Sequence, residues 1–183
     1  LLNATLIAFA TTLVALGLYV HTALACSAVL HLGTDEQRRR FLPAALAGER
    51  IGCWAFAEAG AGSDAASVST RARRSGAGYV LDGAKLYITN APLADFVVVV
   101  ASTSPERGLK GLSLFAIQRE RAGLRVGRPM EKLGMCASEM AEIVFEDCHV
   151  SDGDRATAAA IVPLDRRGDD ARARSARSRA GAR

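Results

Sequence analysis

From Leu1 to Thr34 the chain has no lysine, arginine, aspartate or glutamate. That absence excludes a solvated charged helix. It leaves a membrane span, or a helix apolar all round at the buried centre of a helical domain. Leu1 to Val20 would just cross a bilayer at about 20 residues. Asn3, Thr5, Thr11 and Thr12 interrupt the run, however, and no tryptophan marks either end. Only Tyr19 is placed as an interfacial anchor. No basic segment precedes the run, which disfavours a signal peptide. A core helix is the favoured reading, with membrane association not expected. The first residue is leucine, which reads as a start inside a longer frame.

Paired cysteines are also missing. Cys26, Cys53, Cys136 and Cys148 form no C-x-x-C, which speaks against a zinc site and against a disulfide framework. No metal ligand is assigned. Four small buried thiols in a reducing, cytoplasmic setting are expected. The body of the chain lacks excess basic charge. Asp165 to Arg183 holds seven Arg and three Asp, which matches the whole chain's net charge of +4. Residues 1–164 therefore balance, and no footprint for nucleic acid exists in them. The tail from Asp165 also lacks periodicity and is expected to be disordered. No internal repeat is present.

What the chain does hold is a succession of short elements. Gly33 ends the first helix. Thr34-Asp35-Glu36-Gln37 then reads as a capping box that opens a helix from Glu36 to Leu42, stopped by Pro43. From Ile51 the pattern turns to strands: Ile51 to Ala57, Val68 to Arg74, Phe96 to Ala101, Leu112 to Gln118, Leu124 to Gly127 and Glu142 to Val150. Tyr79 to Leu81 and Lys85 to Thr89, separated by Asp82-Gly83, predict a hairpin. This spacing predicts a barrel or sandwich.

Two segments carry chemistry. Glu58-Ala59-Gly60-Ala61-Gly62-Ser63-Asp64 offers bare backbone N–H groups and a Ser63 hydroxyl to an anion. The turn fits the G-x-G-x-x-A fingerprint of a Rossmann fold, but too few residues follow it for a crossover helix. In Tyr87-Ile88-Thr89-Asn90, alternation puts Tyr87 and Thr89 on one face. Their ring and hydroxyl suit a flat polar ring system, so the two segments together suit a flavin nucleotide. As an isolated feature, either would be an ordinary turn or a surface pair.

Trp54 to Asp64, Leu81 to Ala91, Lys132-Leu133-Gly134, and Ile143 to Asp147 resemble the middle of an acyl-CoA dehydrogenase. So does Gly33 to Pro43, and the likeness runs from about Tyr19 to Val150. The resemblance implies an α+β fold: a short helical N-terminal segment (1–50), then an antiparallel β-barrel or sandwich that binds FAD (51–150). Residues 151–183 are then a non-homologous tail. It places Trp54, Phe56, Ala57, Gly62 and Ser63 along the flavin and its pyrophosphate. Ser63 also lies near the acyl-CoA substrate, and Tyr87, Ile88 and Thr89 pack on the ring. Tyr87 stands where tryptophan is usual. Ala57 replaces a Thr or Ser whose hydroxyl bonds the flavin, a loss of ~1 kcal/mol. Ala59 replaces a proline, and Cys136 and Glu139 replace an Arg and a small polar residue.

The implied activity is α,β-dehydrogenation of an acyl-CoA thioester with hydride transfer to FAD. The family's catalytic glutamate belongs to a C-terminal four-helix bundle, for which the 33 residues after Val150 are too few. No catalytic residue is therefore assigned. Glu58 is read as structural, and Glu131, Glu142 and Glu146 as solvated. The chain is expected to be inactive alone, the alternative being a non-catalytic remnant that binds nucleotide weakly. An electron-transfer partner is not identifiable, and the family's homo-oligomer is not expected of this chain alone.

Overall fold

The computed structural model describes residues 14–156. Expectations for residues 1–13 and for the tail from residue 157 lie outside that range. The first helix, α1, runs Val14–Leu32 and widens into a π-type turn over Val20–Cys26. Gly33 ends it, and a Cβ there would fall 2.3 Å from the Val29 carbonyl oxygen. Helix α2 spans Asp35–Leu46. Its capping box forms as expected: the Gln37 N–H donates to Thr34 Oγ1 at 3.2 Å, and the Thr34 N–H donates to Gln37 Oε1 at 3.1 Å. Pro43 does not stop this helix but sits inside it. Proline removes one N–H and leaves its own carbonyl free, and that carbonyl accepts from Ala47 at 3.1 Å.

Among the described residues seven strands follow: β1 Gly52–Ala55, β2 Arg71–Ser75, β3 Gly78–Thr89, β4 Phe96–Ser102, β5 Leu112–Gln118, β6 Leu124–Val126 and β7 Met140–Ser151. They form one curled sheet in the order β1-β4-β2-β3-β7-β6, with β5 on β4. The sheet is mixed. β1 runs parallel to β4, β2 meets β4 in a parallel bridge at Ser102, and the remaining pairs are antiparallel.

Strand β4 is buried on both faces, as its unbroken β-branched run requires. Val97, Val99 and Ala101 point into the curl with Leu81, Phe115, Ile143 and Phe145. Phe96, Val98 and Val100 point out, toward Ala25, Val29, Phe41 and Ala45 of the two helices. The strand period of two thus divides the core into an inner cluster and a helix–sheet cluster. At the far end Asp154 is fully buried between Arg40 of α2 at 3.1 Å and Arg121 at 2.9 Å. Gln37 adds a bond to the Gly153 carbonyl at 2.8 Å.

The predicted hairpin at Asp82-Gly83 does not exist. β3 runs straight through both residues and pairs with β7 along its length, with a bulge between Leu81 and Gly83. The turn lies earlier, at Gly76 with φ 54°. Gly83 has φ 144°, and a Cβ there would sit 2.8 Å from Thr70 Cα. An Asp-Gly pair serves a bulge as well as a turn. The long partner strand, some 60 residues downstream, decides between them. Asp82 binds Arg73 at 2.6 Å and accepts the Asp147 N–H at 2.9 Å.

Helix α1 is also not buried all round. It is long and apolar enough to cross a membrane by length and composition, yet only 28% of its most apolar window is buried. Val14, Leu18, Tyr19 and Leu30 are exposed, because among the described residues only α2 and the sheet pack against it.

Candidate functional site

Strand β1 presents Trp54, and the chain just beyond it presents Phe56 and Ala57. The Trp54 and Phe56 rings stack at 6.4 Å between centroids and 19° between planes. The end of β3 brings Tyr87, Ile88 and Thr89 to the same place. With Val20 and Leu24 of α1, these residues line a cleft of about 200 Å³. Six of the eight residues nominated from the sequence therefore meet. Gly62 and Ser63 do not line the cleft, and both sit exposed in the adjoining turn. Val20 and Leu24 were not nominated. An apolar helix whose face repeats every third or fourth residue is their only sequence signal, and it does not say what the face meets.

The two segments are locked together beneath the cleft. The Leu86 N–H donates to the Ala57 carbonyl at 2.8 Å. Lys85, fully buried, donates to the Phe56 carbonyl at 3.1 Å and to Glu58 Oε1 at 2.7 Å. Glu58 also accepts from the Ser69 and Thr70 N–H groups at 2.7 and 3.0 Å and from both hydroxyls. Burial pushes the Glu58 carboxyl up, but Lys85, Ser69 and Thr70 outweigh it and bring the group down to about 2. Burial likewise pulls the Lys85 ammonium below its ordinary value, against the opposing pull of Glu58. The carboxylate has five donors and is the better compensated partner, so it stays ionised. Glu58 is thus a structural anchor whose two oxygens are taken up by these donors.

The glycine-rich turn closes on itself through Glu58 N–H to Ala61 O at 2.8 Å and Ala61 N–H to Glu58 O at 3.3 Å. Asp64 accepts from Ala66 N–H at 3.2 Å and from the Ser67 hydroxyl. A Cβ at Gly60 or Gly62 would meet nothing within 4 Å, so the outer side of the turn is open. Only three residues, Ala65–Ser67, form a helical turn before β2, which leaves no crossover helix for a Rossmann unit.

Tyr87 and Thr89 reach the cleft by a route other than simple alternation. The β3–β7 register shifts between Lys85 and Ile88, and Tyr87 has φ 60°. A positive φ on a bulky residue is a strained conformation. It turns the Tyr87 ring outward, 62% exposed, over the cleft. Asn90, φ 66°, donates through Nδ2 to the Gly17 carbonyl at 2.8 Å and so ties this strand end to α1.

A wider groove of about 470 Å³ lies elsewhere, between Gln118–Gly123 and Glu146–His149. It has no aromatic wall and none of the nominated residues, so the smaller cleft is the better candidate. Of the cysteines, burial pushes Cys53 up to about 12 and Cys148 up to about 11, leaving both as unreactive core thiols. Cys136, expected to be buried, is exposed and bonds the Lys132 carbonyl.

Residues 53–148 match the middle domain of acyl-CoA dehydrogenases, and residues 3–49 match their N-terminal domain. The chain belongs to the acyl-CoA dehydrogenase family. Mitochondrial isovaleryl-CoA dehydrogenase of Solanum tuberosum is 40% identical, over 71% of this chain and 32% of its own. Butyryl-CoA dehydrogenase of Megasphaera elsdenii superposes with a TM-score of 0.77 at 29% identity, over 79% of this chain and 38% of its own. PigA, solved in complex with FAD, superposes with a TM-score of 0.75 at 32% identity, covering 77% and 37%. The chain thus spans about a third of the length of these proteins.

Proposed function

We propose that the cleft between Trp54–Ala57 and Tyr87–Thr89 is the flavin platform of an acyl-CoA dehydrogenase, and that FAD is its cofactor. The observation that carries this is the meeting of six nominated residues in one open, aromatic-walled cleft. The residues fit the group. Trp54, Phe56 and Ile88 give an apolar bed that excludes water from one side of a flat ring. Tyr87 offers an exposed aromatic face, and the Thr89 hydroxyl is a donor within the same cleft. The open backbone at Gly60 and Gly62 leaves room for a phosphate.

When bound, FAD supplies the hydride acceptor for the β-hydrogen of an acyl-CoA thioester. The chain's part is to hold and desolvate that acceptor. The cleft lining contains no carboxylate, histidine or lysine, and Glu58 is committed to Lys85, Ser69 and Thr70. These residues therefore bind and orient but remove no α-proton, and dehydrogenation needs a base from outside this set.

Titrating FAD into the purified 183-residue chain tests the reading. Quenching of flavin fluorescence together with Trp54 emission is expected. No bleaching of the oxidised flavin's visible absorption is expected when an acyl-CoA is added anaerobically. Unchanged flavin fluorescence at saturating protein would refute the platform. Flavin reduction by an acyl-CoA would refute the claim that this set lacks a base.

A further inference from the structure

Both ring nitrogens of His21 are engaged by backbone groups of two other elements. His21 lies in the π-type turn of α1, between the cleft residues Val20 and Leu24, and is 8% exposed. Its Nδ1 accepts the Gly52 N–H at 2.9 Å, at the first residue of β1. Its Nε2 lies 3.1 Å from the Ala45 carbonyl oxygen, in the last turn of α2. Cys26 Sγ packs 3.8 to 3.9 Å from the two nitrogens. An amide N–H only donates and a carbonyl only accepts. The neutral Nε2–H tautomer is the one form of the ring that serves both.

The position of this ring gives it a role in the cleft. On one side it is continuous with Val20 and Leu24, the helical wall. On the other it grips Gly52, two residues before Trp54 in the aromatic wall. Gly52 has no room for a side chain, since a Cβ there would lie 2.4 Å from the Phe96 ring. The stretch Val20–Cys26 departs from α-helical spacing at just this contact, a feature that recurs at functional sites.

We infer that His21 is a positioning residue: as its Nε2–H tautomer it sets the spacing between the helical wall (Val20, Leu24) and the aromatic wall (Trp54, Phe56), and hence the width open to a flat ring. The identity of that ring rests on the FAD proposal above. The wall spacing is a property of the chain alone, and it can be read without a ligand because Trp54 is the only tryptophan.

The test compares the whole chain with His21→Gln and His21→Leu. Glutamine carries a carbonyl oxygen that accepts and an amide NH2 that donates, so it can replace both bonds, whereas leucine fills similar volume and replaces neither. Long-range ¹⁵N NMR of the unmodified chain is expected to show a bare Nδ1 and a protonated Nε2 on His21. His21→Leu is expected to red-shift Trp54 emission, raise its quenching by acrylamide and weaken FAD binding about tenfold. His21→Gln is expected to restore all three. A protonated Nδ1, unchanged Trp54 emission in His21→Leu, or a glutamine variant as impaired as the leucine one would overturn the inference. If His21→Leu fails to fold, the tautomer and the Trp54 emission of His21→Gln decide the matter. If the unmodified chain binds no FAD, the flavin proposal falls, while the tautomer and Trp54 readings still judge His21.

Discussion

Lys85 and Glu58 are buried together under the candidate cleft, and their pairing makes sharp demands. Lys85→Met removes the counter-charge and leaves an ionised carboxylate in the core, which should cost about 3–5 kcal/mol in urea unfolding. The pH dependence has a definite sign. Glu58 is held at about 2 against an ordinary 4.5, so the unfolded chain binds its proton more readily than the folded one. Its contribution is complete above pH 4.5 and is lost as pH falls toward about 2. Unfolding midpoints measured from pH 6 down to 2 should decline through that window, and Glu58→Gln should flatten the decline. Ala57 offers the converse test. Ala57→Thr returns a hydroxyl to the cleft lining and should tighten FAD binding by about 1 kcal/mol, measured by fluorescence titration.

At the scale of elements, the two kinds of glycine in this chain part company. Gly83 sits at φ 144° in the β3 bulge against Thr70, so Gly83→Ala should destabilise the fold by about 2 kcal/mol or more in thermal melts. Gly60 faces open space, so Gly60→Ala should leave the melting temperature nearly unchanged. It should still weaken FAD binding if the turn approaches a phosphate, and an unchanged affinity would remove the turn from the site. The same contrast explains what was legible. Strand β4 follows from its β-branched run, β5 and β6 from short apolar stretches bounded by turn residues, and α2 from its capping box. The sequence of β3 reads as a hairpin because Asp82-Gly83 serves a bulge and a turn alike, and only the pairing with β7 separates them.

Across the whole molecule, the apolar surface is uneven. Val14, Leu18, Tyr19 and Leu30 on α1, with Leu46 and Leu93, are exposed. Bare apolar surface of this kind drives association. The isolated chain should self-associate in sedimentation velocity experiments as concentration rises, and Leu18→Lys should shift it toward monomer. A monodisperse unmodified chain at high concentration would contradict this.

Several features were determined by the sequence by itself, because each depends on neighbours within a few residues. They include the capping box, the strand periodicity, the turn rich in glycine and the blocks shared with acyl-CoA dehydrogenases. Tertiary structure alone decided that Tyr87 reaches the cleft through a strained bulge, that Val20 and Leu24 form its other wall, and that Glu58 is spent on Lys85. Those outcomes turn on register and on contacts between distant segments, and such contacts exist only once the sheet has curled and the helix has docked on it.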